Sequence, residues 1–330
     1  MRSETRFTVI VTDHIFPSLD PERTTLAAVG AEVRTVPEAN PERLRDAVPN
    51  ADALLVCYAQ ISQDVIERAQ RCRVIARYGI GVDNIDVAAA TRQGIVVTNV
   101  PDYCVEEVSD HTLAFLLACA RKVPRMDRET RHRWDNRAAV PIHRLRGQVL
   151  GLIGFGKIPR ALAARVVPLG MRIITFDPYV GAEAMRAHGA APGDLATVLA
   201  ESDFVSLHAP LTPETTGLID EAALRAMKPT AYLINTARGA LVDQTALARA
   251  LREGWIAGAA LDVLPDEPPA ADNPLLTLSN VILTPHIAFY SEESQRELQQ
   301  KAAEEVARVL TGRPPRYPVN KILPVSPSGR

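Results

Sequence analysis

Short apolar runs recur along the chain at intervals that suit strands separated by helices. In the first hundred residues they are FTVIV (7–11), EVRTV (32–36), ALLVC (53–57), RVIA (73–76) and IVVT (95–98). Each is short and β-branched, and most are bounded by turn residues, which predicts strands. Between them, PERLRDAV (41–48) and QDVIERAQ (63–70) space their apolar positions as helices do. Strand–helix alternation of this kind predicts a parallel sheet covered on both faces. The rhythm breaks at 104–122, CVEEVSDHTLAFLLACARK, a long helical pattern without Gly or Pro that suits a bridge between two domains. It resumes with VLGLIG (149–154), RIITFD (172–177), FVSLH (204–208), AYLINT (231–236), IAGAALDV (256–263) and VILT (281–284). ALAARVV (161–167), EAALRAM (221–227) and TALARALRE (245–253) read as helices among them. A last amphipathic helix spans 291–311, and PVSPSGR reads as a frayed tail. The expectation is α/β: two doubly wound parallel-sheet domains.

Composition narrows the function classes. A length of 330 residues suits two domains, each with its own core. The net charge of −2 gives no reason to expect nucleic acid or an anionic membrane as partner. Cys57, Cys72, Cys104 and Cys119 are too far apart for a metal knuckle or a C-x-x-C pair, so no metal is expected. They read as buried free thiols in a reducing compartment. The start, MRSETRFTVIVTDH, has no apolar core of signal-peptide length, and the longest apolar run, LAFLLACA (113–120), is too short to span a bilayer. A soluble cytoplasmic protein is expected.

The stretch GLIGFGKIPR (151–160) carries the first candidate chemistry. Gly154 and Gly156 occupy the first two glycine positions of G-x-G-x-x-G, one for a tight turn and one for close backbone approach to a pyrophosphate. Pro159 stands where the third glycine would let helix and sheet pack closely. In the first helical turn a missing N–H costs little, so the site is expected to survive with the helix slightly displaced. Lys157 and Ile158 keep N–H groups that can meet phosphate at the positive end of the helix. Asp177 ends the next strand 21 residues beyond Gly156, placed to accept from a ribose 2′-OH and to repel a 2′-phosphate. NAD is therefore favoured over NADP. Alternatively, Asp177 simply opens a D-P turn.

Three residues near later strand ends add acid/base chemistry: Arg238 in INTARGALVD, Glu267 in LPDEPP and His286 in TPHIAFY. Singly, each reads as a surface charge or a structural histidine. Together they supply what reduction of a 2-oxo acid needs. Arg grips a carboxylate and polarises the adjacent carbonyl, His delivers the proton, and a carboxylate keeps the imidazole protonated and oriented. There is no G-x-S-x-G elbow and no H-E-x-x-H helix to suggest a hydrolase.

The sequence resembles the D-isomer-specific 2-hydroxyacid dehydrogenase family. The motifs are RYGIGVDNIDVAAATRQGIVVTNVP (77–101), GLIGFGK (151–157), DFVSLHAPLTPETTGLI (203–219), LINTARGALVD (233–243), ALDVLPDEPP (260–269) and LTPHIAFYSEES (283–294), in order over nearly the whole chain. The resemblance implies a flavodoxin-like substrate domain, 1–100 plus 291–330, interrupted by an inserted Rossmann cofactor domain, 101–290. It implies NAD as cofactor and a small 2-oxo or 2-hydroxy acid as substrate. It gives Arg238 the substrate carboxylate and carbonyl, makes His286 the acid/base and Glu267 its support. Asp262 would lie near the nicotinamide, while His208, Pro210, Thr215 and Thr236 would line the cofactor cleft. The backbone at Ile80 and Gly81 would meet the substrate carboxylate, and the protein would be a homodimer through the cofactor domain.

PDYCVEEVSDHT and PHIAFYSEES look most like the branch that holds the C-terminal-binding-protein co-repressors and their bacterial relatives, with Phe289 in the aromatic place after the histidine motif. That likeness carries an alternative, an NAD(H)-sensing partner-binding protein. Relatives that oxidise 3-phosphoglycerate tend to carry Arg-Ser after the strand matching ALLVC, where this chain has Tyr58-Ala59-Gln60-Ile61. Phosphoglycerate is therefore not the expected substrate. Tyr58, Tyr78, Phe289 and Tyr290 suggest a pocket with apolar or aromatic walls, or else packing between domains.

Overall fold

The computed structural model describes residues 6–36 and 40–322; the tail PVSPSGR lies outside the described residues. The chain opens with β1 (Phe7–Val11), α1 (Asp20–Ala27), β2 (Ala31–Thr35), α2 (Pro41–Ala47), β3 (Ala53–Val56), α3 (Gln63–Arg68), β4 (Val74–Arg77), α4 (Val87–Arg92) and β5 (Val96–Thr98). Two helices follow, α5 (Val105–Arg121) and α6 (Val123–His132), then β6 (Val149–Ile153), α7 (Lys157–Val166), β7 (Arg172–Phe176), α8 (Ala182–Ala187), β8 (Ala190–Pro192) and α9 (Leu195–Glu201). The rest is β9 (Phe204–Leu207), α10 (Glu221–Ala226), β10 (Tyr232–Asn235), α11 (Gln244–Glu253), β11 (Gly258–Leu261), β12 (Val281–Leu283) and α12 (Glu292–Leu310). These elements form two compact units. One is Cys104–Tyr290, and the other comprises the described residues up to Tyr103 and from Ser291 on.

In the outer unit five strands pair in parallel in the order β2-β1-β3-β4-β5, the flavodoxin-like arrangement. Alternate strand residues sort to the two faces. Ile10, Leu54, Val56, Ile75 and Val97 join Leu44, Val65, Ile66, Ala89 and Ala90 of α2, α3 and α4 in one core. The opposite face is covered by α1 and α12, which pack on each other, α1 also against β2 and α12 against β4. A capping box at Ser291 and Ser294 starts α12 where the sequence expects a helix.

In the inner unit seven strands pair in parallel in the order β12-β11-β10-β9-β6-β7-β8. Val149 and Ile153 of β6 face a core shared with α9, α10 and α11, while Leu150 and Leu152 face one shared with α5 and α7. Both faces are therefore buried, as the near-continuous apolar strands require. Both units are parallel-sheet α/β domains. Two elements have no clear mark in the sequence. β8 consists of AAP and lacks a β-branched residue. α6, VPRMDRETRH, buries none of its side chains, so no apolar stripe announces it.

All four cysteines are buried. Burial pushes the thiols of Cys57, Cys72 and Cys119 up to about 12, which leaves them inert. Among the described residues there is no helix long and apolar enough to cross a membrane and no cluster suited to a metal ion.

Candidate active site

In the inner unit, strand order reverses between β6 and β9, where parallel sheets open a ligand crevice at their carboxyl ends. Gly154 follows β6 with φ +94°, and a Cβ there would come within 2.8 Å of the His208 backbone after β9. Only glycine suits both the conformation and the approach. A Cβ on Gly156 would meet nothing within 4 Å, so the turn leaves open space above its backbone. Gly156 caps α7, whose first residues are Lys157 and Ile158, so first-turn N–H groups border that space. Phe155 between the glycines is fully buried, anchoring the loop with about 1.5–3 kcal/mol of apolar burial. Pro159 is buried within the first turn of α7.

Asp177 follows β7 and accepts from the Phe155 N–H and the Tyr179 N–H, both at 2.8 Å. It thus opens a turn and ties that turn to the glycine loop. A carboxylate oxygen accepts more than one bond, so a ribose hydroxyl remains a compatible partner. The open glycine turn, helix start and acid fit a dinucleotide. Thr215 donates to the Pro210 carbonyl at 2.7 Å and accepts from the Thr212 N–H at 2.8 Å, fixing the loop after β9. The His208 ring contacts the Ser206 hydroxyl at 2.9 Å. The residue keeps some exposed surface, but its imidazole is desolvated and its pKa is pushed down to about 3, which holds it neutral.

Across the sheet, the carboxyl ends of β10, β11 and β12 bring the acid/base candidates together. Arg238 begins the turn after β10, and the Asn235 amide donates to its carbonyl at 2.9 Å. A Cβ on Gly239 would fall 1.9 Å from the Leu264 carbonyl carbon. The glycine of ARG therefore lets the loop after β11 pass directly over Arg238's turn. That loop carries Glu267, whose Oε1 accepts from the Leu264 N–H at 3.0 Å. The Glu267 Oε2 lies 2.6 Å from the His286 Nδ1. Burial works to raise the Glu267 pKa, but the hydrogen bond and charge of His286, the Leu264 N–H and the charge of Arg238 outweigh it. The result lies below the usual glutamate value. Phe289 stands edge-on to the His286 ring, 6.1 Å between centroids.

His286 has φ +52°, left-handed backbone that is uncommon outside glycine. Asp262, 2% exposed at the end of β11, holds that turn. Its carbonyl accepts from the His286 N–H at 2.8 Å, and its carboxylate accepts from the Ile287 and Ala288 N–H groups, both at 2.9 Å. Thr284 adds its hydroxyl to Oδ1 at 2.5 Å. Behind them, His111 and Thr112 of α5 touch Thr284 and Thr236, each at 3.0 Å. Thr112 gives its own proton to the Val108 carbonyl at 2.7 Å, so the Thr236 hydroxyl is the donor of that pair. Nothing within SDHT or LTPH marks His111, Thr112 or Thr284 for these tasks, because contacts across 173 and 124 residues leave no local trace.

In the outer unit the expected substrate residues differ among themselves. Tyr58, 45% exposed, stands in the loop after β3, and the Arg77 guanidinium lies 5.9 Å from its ring centre. The backbone at Ile80 is fixed by the Asn99 amide, which donates to its carbonyl at 2.7 Å, and Gly81 follows, partly exposed. Tyr78 corrects the expectation of an aromatic wall. Its side chain is 2% exposed, its hydroxyl donates to Glu22 at 2.8 Å, and its ring packs edge-on against Phe16. Buried Glu22 draws the phenol inward because it needs donors.

Residues 113–288 match the family profile described as "D-isomer specific 2-hydroxyacid dehydrogenase, NAD binding domain". The chain is 42% identical over 301 residues to the glyoxylate reductase of Pyrococcus furiosus, covering 89% of this chain and 88% of that one. It is 39% identical over 293 residues to the D-3-phosphoglycerate dehydrogenase of Archaeoglobus fulgidus, covering 88% of this chain but 55% of that one. It thus spans about half the length of the phosphoglycerate dehydrogenases it matches. Among solved structures, D-lactate dehydrogenase from Aquifex aeolicus complexed with NAD and lactic acid superposes with a TM-score of 0.83 at 30% identity, covering 92% of this chain and 96% of that one. With that profile spanning the glycine turn, Asp177 and the His286 turn, the chain belongs to the D-isomer-specific 2-hydroxyacid dehydrogenase family and carries its NAD-binding domain.

Proposed function

We propose that this protein interconverts a small 2-oxo acid and its D-2-hydroxy acid with NAD(H), with His286 as the acid/base. The observation that carries the reading is the 2.6 Å contact between His286 Nδ1 and Glu267 Oε2 beside Arg238. The glycine turn at Gly154 and Gly156, the start of α7 and Asp177 would hold the dinucleotide, which would supply or accept hydride at the carbonyl carbon. With Nδ1–H donated to an ionised Glu267, Nε2 is the nitrogen that gives a proton to the carbonyl oxygen in reduction and takes the hydroxyl proton in oxidation. Arg238 binds the substrate carboxylate and steadies the developing alkoxide. Within the outer unit the candidates for substrate contact are the Ile80 and Gly81 backbone and Tyr58; within the inner unit the candidate is Phe289.

The uncharged stretch Tyr58–Ile61 favours substrates without phosphate. The test is NADH consumption with glyoxylate, pyruvate, hydroxypyruvate, phenylpyruvate and a thioether analogue. Turnover of one or more supports the reading; NADH binding without any turnover favours an NAD(H)-sensing protein. Arg238→Ala should raise KM and lower kcat together, because its contact strengthens as charge develops; a silent phenotype removes Arg238 from the site.

We further propose a homodimer through the inner unit. α6 buries no residue, Trp134 just beyond it is 92% exposed, and Val140 is 72% exposed. Beside them lies a cavity of 690 Å³ lined in part by Cys119, Phe204, Tyr232 and Ile282. A second copy would cover these surfaces. Sedimentation should give twice the mass of one chain, and a monomer at all concentrations would refute the dimer.

A further inference from the structure

Asp262 is the hub of the turn that presents His286, and its carboxylate takes three donors: the Thr284 hydroxyl and the N–H groups of Ile287 and Ala288. Two are backbone groups fixed by the chain. The third is a rotor, free in principle to turn elsewhere. Its only proton goes to Asp262 Oδ1 at 2.5 Å, so its oxygen faces His111 Nε2, 3.0 Å away, as an acceptor. Hydrogen-bond bookkeeping then requires Nε2 to carry hydrogen. The His111 ring is itself fixed edge-on against Phe115, one turn along α5, with centroids 4.5 Å apart. Burial lowers the His111 pKa despite the opposing charge of Asp262, which suits a neutral ring in the Nε2–H tautomer.

We infer that His111 is a positioning residue for His286: its Nε2–H locks the Thr284 hydroxyl onto Asp262, and Asp262 so loaded holds the left-handed turn. The inference rests on His286 being the acid/base. With the donor gone, Thr284 is released to rotate, the buried carboxylate loses its shortest hydrogen bond, and the φ +52° turn relaxes. The imidazole then sits off line for proton transfer, although neither its own side chain nor Glu267 has changed.

The test uses the 2-oxo acid that the wild type reduces fastest. His111→Phe keeps the ring and removes the donor; His111→Gln keeps a donor nitrogen at similar reach. The first should lower kcat about tenfold while KM and the NADH Kd stay within about twofold, and the second should recover most of the loss. Thr284→Val should match His111→Phe, and the double variant should fall no further, since one chain of contacts is cut only once. Wild-type kcat in His111→Phe overturns the inference, as does additive loss in the double variant. Equal loss in folded His111→Gln and His111→Phe also overturns it. A wild type that turns over no 2-oxo acid overturns the acid/base reading and this inference with it; an active wild type beside an unaffected His111→Phe overturns the inference alone.

Discussion

The two parallel sheets finish their strands with the same residue types put to different uses. At the carboxyl ends of β1 and β3 in the outer unit, Asp13 accepts from the N–H groups of Cys57, Tyr58 and Ala59 at 3.1, 2.5 and 3.1 Å. The Asn84 amide donates to the carbonyls of Cys57 and Ala59 at 3.3 and 2.9 Å. There a carboxylate and an amide shape backbone. In the inner unit Asp262 does the same for the His286 turn, but Glu267 spends one oxygen on an imidazole and feels the charge of Arg238. A carboxylate bound to amides fixes geometry, whereas one bound to a titratable ring also fixes where a proton resides. The scaffold is shared and the loops decide which occurs, as expected where function sits at strand ends.

If proton chemistry belongs to the inner unit alone, His286→Gln has the largest effect. Turnover should drop by about 10³-fold with NADH binding retained, as followed by steady-state rates and nicotinamide fluorescence. Retention of most activity would break the contrast outright. Glu267→Gln keeps the shape and removes the charge, and should cost about 10²-fold in kcat. It also has a pH signature. The folded-state pKa of Glu267 lies below its usual value, so its contribution to stability is complete above the unfolded value of about 4.3 and is lost as pH falls through the folded one. The Tm gap between wild type and variant should therefore narrow as pH drops through that window; a constant gap would show that the charge of Glu267 is not what His286 feels.

Next in size is Asp177→Ala. Removing hydrogen bonds to a charged acceptor should weaken NADH about tenfold and narrow the preference over NADPH, read by titrating both cofactors. Unchanged discrimination would leave Asp177 with only its turn and its bond to the Phe155 N–H.

Most of this arrangement was legible before the structure, for a physical reason. Strands buried on both faces must be apolar and short, so β6, β9 and β10 announce themselves, and residues just beyond them must lie at the carboxyl edge. Arg238, Glu267 and His286 are read that way. What could not be read is what depends on a distant partner. Tyr78 looks like a pocket aromatic until Glu22, 56 residues away, is seen to accept its hydroxyl. The reason for Gly239 lies in the Leu264 backbone, and the task of His111 lies in Thr284. A side chain's role follows from its direction, and direction is set by packing across the fold.

Asp13→Asn tests the outer unit's half of the comparison and should act modestly. The amide replaces one accepting oxygen with a donor facing N–H groups, which loosens the loop that carries Tyr58 without touching His286. The 2-oxo acid KM should rise about fivefold while kcat stays within about twofold, the pattern of lost uniform binding. A fall in kcat equal to the fall in kcat/KM would instead assign the outer loop to the transition state, and the division of labour between the sheets would fail.

The smallest effect is reserved for Pro159. Its ring is buried in the first turn of α7, where a third glycine would bring helix and sheet closer. Pro159→Gly removes that bulk and restores an N–H at the helix start proposed to meet the cofactor phosphates. The same change frees the unfolded chain, which costs roughly 0.4–1 kcal/mol of stability. The two consequences have opposite signs and separate instruments. Fluorescence titration should show NADH binding tightened by at most about threefold, which is under 1 kcal/mol, while thermal unfolding should show Tm lowered by about 1–4 °C. Affinity that is unchanged or weaker would mean that the proline ring does not hold α7 away from β6. In that case the glycine turn at Gly154 and Gly156, rather than the spacing of helix and sheet, sets how closely this chain approaches its cofactor.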